Sequence, residues 1–113
     1  SKKRLRKIME FVYSIEAKNA GALKKVLEEN AFADDSFARN GYVWKESQAV
    51  GLPNGSFVLY FKTEDEKLAG TLNARVKAVE GIKEVTGVDK EKVVSVIKAE
   101  EDSAAAGFGN IFG

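Results

Sequence analysis

The sequence predicts an α+β fold in which two helices lie on one face of a four-stranded antiparallel sheet. Three observations carry this. Two stretches repeat their apolar residues with helical spacing, several others alternate or run apolar over five to nine residues, and a Pro-Asn-Gly turn joins two of the latter. The elements read in the order strand, helix, strand, strand, helix, strand.

The first strand is KIMEFVYSIE. Met9, Phe11, Tyr13 and Ile15 fall on one face, and Glu10, Ser14 and Glu16 on the other. In NAGALKKVLEEN, Leu23, Val26 and Leu27 make a helical stripe. Asn19 stands as its N-cap, and Lys24, Lys25, Glu28 and Glu29 face water. In AFADDSFARNG, Phe32 and Phe37 are expected to pack inward around a turn or short helix start. YVWKESQAV is expected as the second strand. Pro53-Asn54-Gly55 then reverses the chain into FVLYFK, whose two apolar faces suit a central strand. Residues 42–62 therefore read as a hairpin.

TEDEKLAGTLNARVKAVEG carries the strongest helix pattern. Thr63 and Glu66 have capping-box spacing, and Leu68, Leu72, Val76 and Val79 make the buried stripe. Gly70 is expected at a close helix-to-sheet approach, and Gly81 just past the helix end. KVVSVIKAE is expected as the closing strand, with IKEVTG as a short extra one. Two strand-helix-strand units joined by a hairpin make the split βαβ, or ferredoxin-like, plait. Right-handed crossovers would place both helices on one face and leave the other open.

Composition narrows the function classes. The 113 residues suit one domain, expected over 1–102, with a hydrophobic C-terminal tail over 103–113 that is either flexible or docked. There is no histidine and no cysteine. That removes the commonest general base, disulfides, and zinc sites built on either residue. The 17 acids sit mainly at helix ends or in mixed-charge runs, so the expectation is a protein that is not an enzyme and uses no cofactor or metal. No apolar run reaches the roughly 18 residues of a membrane span, and no signal-like apolar stretch follows the basic start. A cytoplasmic location without membrane contact is expected.

Net charge is +1, but Lys2, Lys3, Arg4, Arg6 and Lys7 crowd one end, so the remainder sums to −4, one minus five. Such a basic arm suits phosphate neutralisation, or simply a solubilising terminus. At the other end, Phe108, Ile111 and Phe112 form an apolar cluster among glycines. Large apolar groups on a loose end carry an aggregation risk, so the tail is expected to dock on its own domain, on a second copy, or on a partner.

NGSFVLYFKTEDEKLAG resembles the third strand and second helix of RNA-recognition motifs, with Gly55, Ser56, Phe57, Val58 and Tyr60 matching part of the signature. Gly55 and Ser56 stand where that signature has its first aromatic. The resemblance implies base stacking on exposed aromatics of the sheet, with Phe57 carried over. Trp44 is a second candidate for stacking bases. AVGLPNGSFVLYF and VEGIKEV are similar to the exchange domain of archaeal elongation factor 1-beta. EEDSAAAGFGNIFG resembles the tail of archaeal ribosomal stalk proteins, which implies capture of a translation factor by Phe108, Ile111 and Phe112; Asn110 departs from that pattern. The expected function is a binding module for single-stranded RNA, a ribonucleoprotein or a translation factor. The alternative is a homo-dimer or larger homo-oligomer with a structural or small-ligand role.

Overall fold

The computed structural model describes the backbone of residues 7–112 and the side chains of residues 7–102. It is an α+β domain. The elements are β1 (Met9–Glu16), α1 (Ala20–Glu28), α2 (Phe37–Asn40), β2 (Val43–Glu46), β3 (Ser56–Thr63), α3 (Glu66–Lys77), β4 (Lys83–Glu84) and α4 (Gly87–Phe112). The four strands form one antiparallel sheet in the order β2-β3-β1-β4. β1 and β3 pair along their whole length, from Met9 opposite Thr63 to Glu16 opposite Ser56.

Both sheet faces are buried, each by a different set of helices. Tyr13, Ile15, Leu59 and Phe61 point to the face covered by α1, α2 and α3, where they meet Leu23, Leu27, Phe37, Leu72 and Val76. Phe61 is the hub of this core. Its ring stacks on Phe11 at 5.1 Å and meets Phe37 edge-on at 5.2 Å. Val12, Val58 and Tyr60 alternate to the opposite face, where Val50 and Val85 join Val93 and Ile97 of α4.

That second layer departs from the expectation. Residues 92–100 are helix, so the face predicted to be open is covered, and the fourth strand is the two-residue IKEVTG candidate. The β-branched run VVSVI reads as strand by propensity, yet Val93 and Ile97 lie four apart and fall on one helical face. The apolar row Val12, Val58 and Tyr60 supplies the surface on which that face is buried, and packing outweighs propensity.

Smaller departures have local causes. β2 ends at Glu46, because Ser47–Val50 coil into a 3-10 turn. The Ser47 hydroxyl fixes the loop by donating to the Pro53 carbonyl at 2.5 Å and accepting from the Ser56 amide at 3.3 Å. The Val43–Glu46 strand still forms the predicted hairpin with β3. Asp65, not Thr63, caps α3 by accepting from the Leu68 amide at 3.1 Å, while Thr63 accepts from the Asp65 amide. Asn19 precedes α1 without a side-chain capping bond. Instead it packs against Gly81, where φ is +84° and a Cβ would fall 2.5 Å from Asn19 Nδ2, so any other residue there would be strained and would displace the Asn19 amide. α3 itself stops at Lys77, four residues before Gly81. Gly70 is exposed, and a Cβ there would meet nothing within 4 Å, so it is not a close-approach glycine. Phe37 is buried as expected, but Phe32 is 92% exposed.

Candidate aromatic binding site and the covered sheet face

Of the residues predicted to contact nucleic acid, the fold joins two. Trp44 lies on β2 opposite Leu59, and Phe57, the second residue of β3, lies opposite Glu46. Their rings stack nearly parallel, with centroids 5.2 Å apart and planes 11° apart. Both are half-buried against the core under α1 and α3. The pair stands on the helix-covered side, because Phe57 shares its face with Leu59 and Phe61. RNA-recognition-type stacking would use the opposite face, which here belongs to Val58 and Tyr60 beneath α4.

Lys7 is exposed just before β1, while Lys2, Lys3, Arg4 and Arg6 lie outside the described residues. The backbone of Phe108, Ile111 and Phe112 belongs to the last turns of α4, which run on past residue 103; their side chains lie outside the described set.

The covered face holds a polar arrangement that sequence reading missed. The Tyr60 hydroxyl donates to Glu10 Oε2 at 2.8 Å, and Lys98 of α4 approaches the same oxygen at 3.6 Å. Lys45 Nζ bonds Glu100 Oε1 at 2.7 Å, a second tie from the sheet to α4. Burial, the Glu10 acceptor and the charges of Glu10 and Glu101 all raise the Tyr60 pKa above its ordinary value. On the other face the Tyr13 hydroxyl donates to Asn73 Oδ1, and burial, aided by the Glu84 charge, pushes its pKa up to about 12. Glu10 was readable as a polar residue on the strand's second face. Its partnership required the β1–β3 register, which puts Glu10 opposite Lys62 and diagonal to Tyr60.

Among the described residues no three acids gather closely enough to hold a metal ion, and no helix is long and apolar enough to cross a membrane. No family model, curated protein or solved structure matches the chain.

Proposed function

We propose that this chain is a non-enzymatic, cytoplasmic binding module on a ferredoxin-like plait, and that it takes single-stranded RNA. Strand order β2-β3-β1-β4 with β1 and β3 central is compatible with the plait. In this reading α4 is an addition that occupies the second sheet face and leaves base stacking to the Trp44–Phe57 pair. The arm Lys2, Lys3, Arg4, Arg6 and Lys7 neutralises phosphates. The apolar end, Phe108, Ile111 and Phe112, is the part of the chain suited to a protein partner in a ribonucleoprotein or the translation machinery.

The observation that carries the reading is the Trp44–Phe57 stack. Two rings held parallel at a solvent-touching margin of the sheet offer the π-surface that sequence-tolerant base stacking requires. Single-stranded RNA should bind with an affinity that falls linearly in a log–log salt titration. Reversing the charges of Lys3, Arg4 and Arg6 should flatten that slope. No measurable affinity at low salt defeats the proposal.

A further inference from the structure

Stacking on the Trp44–Phe57 pair accepts any base, so selection among bases has to come from a polar group beside the rings. The fold supplies one. Glu46 follows Trp44 by two residues on β2 and lies opposite Phe57, so it rises on the same sheet face as both rings. It is exposed. Among the described residues its carboxylate receives one long hydrogen bond, from Gln48 Nε2 at 3.5 Å, and makes no ion pair. Lys45 does not neutralise it, because that side chain alternates to the other face and is tied to Glu100 at 2.7 Å. β2 is also the outermost strand on its side of the sheet, so no strand lies beyond Trp44.

A carboxylate repels the phosphate side of a strand and is an acceptor only, so what it can take from a base is donors. Guanine alone offers two adjacent donors on its Watson–Crick edge, N1–H and N2–H, and they match the two oxygens of a carboxylate. Cytosine and adenine each set one amino group beside an unprotonated ring nitrogen. Uracil sets one N–H between two carbonyl oxygens. Against those three bases the carboxylate meets a lone pair as well as a donor, and that mismatch is the source of discrimination. Two parallel bonds to a charged acceptor are also the stronger arrangement.

We infer that Glu46 makes this a guanine-selective site for single-stranded RNA, where a base stacked on Trp44 is read at its Watson–Crick edge by the Glu46 carboxylate. Resting on the RNA reading of that stack, the selectivity is tested with short oligouridine strands that differ only in one central base, G, A, C or U. Each is titrated at low salt into the full chain. The guanine strand should bind about tenfold or more tightly than the other three. Glu46→Ala, at an exposed position, should leave the melting temperature unchanged, keep the affinity for plain oligouridine, and bring the guanine strand down to it. Phe57→Ala should instead weaken all four strands alike, by about fivefold or more. Equal binding of the four strands by the wild-type chain overturns the guanine selectivity and leaves the RNA reading in place, as does a guanine preference that survives Glu46→Ala. No binding of any strand defeats the RNA reading itself, and the selectivity falls with it.

Discussion

Tyr60 and Glu10 show how one polar pair is kept inside an otherwise apolar layer. The phenol is buried, its hydroxyl donates a hydrogen bond to the Glu10 carboxylate, and Lys98 of α4 lies 3.6 Å from the same carboxylate oxygen. Because the folded state raises the Tyr60 pKa, it favours the neutral phenol. The associated stability is fully present below pH of about 10 and is lost as pH rises through the folded value. Tyr13 adds to the same loss between its ordinary value and about 12. Tyr60→Phe keeps the ring and removes the hydrogen bond, so urea unfolding at neutral pH should show a loss of about 1–3 kcal/mol. The variant should also lose less stability than wild type as pH is raised above about 10, since only Tyr13 then titrates in the core. Equal alkaline losses in the two proteins would count against this assignment. The same scale explains Phe32. Its aromatic character argued for burial, but Ser36 and Asn40 bind the adjoining backbone so that Phe37 alone turns inward.

At the scale of elements, what was legible tracks how locally each signal is specified. β1, α1, α3 and the β2–β3 hairpin rest on alternation, helical stripes and a turn tripeptide within their own residues, and all four are present. The C-terminal segment was not legible in this way. Val93, Val94, Val96 and Ile97 satisfy both a strand and a helix, and the choice depends on a surface formed by β1 and β3, residues distant in sequence. Once Val85 is paired to Val12 by a 2.9 Å backbone bond and Gly87 turns the chain, the segment lies across Val58 and Tyr60 as α4. Ile97, 2% exposed, is the anchor of that packing. Ile97→Ala should destabilise the fold by about 2–5 kcal/mol in denaturant unfolding. Val88→Ala at an exposed site of the same helix should stay within about 0.5 kcal/mol. Similar small effects at both positions would mean that α4 does not hold the second face.

For the whole molecule, α4 decides which surfaces remain for function. The predicted site combined a basic arm with aromatics on an open face. Trp44 and Phe57 stack on each other, because neighbouring strands bring same-face residues together. The face expected to be open is filled by α4. Which aromatics reach solvent is a property of packing between elements, and no local pattern in YVWKES or FVLYFK encodes it. The proposed RNA surface therefore narrows to one stacked pair, and that pair contains the sole tryptophan of the chain. Its fluorescence reports the site directly. Titration with single-stranded oligouridine at low salt should quench the Trp44 emission saturably, and Phe57→Ala should weaken that binding by about 1–3 kcal/mol. Oligouridine that binds without altering Trp44 emission, or emission unchanged throughout the titration, would contradict the account.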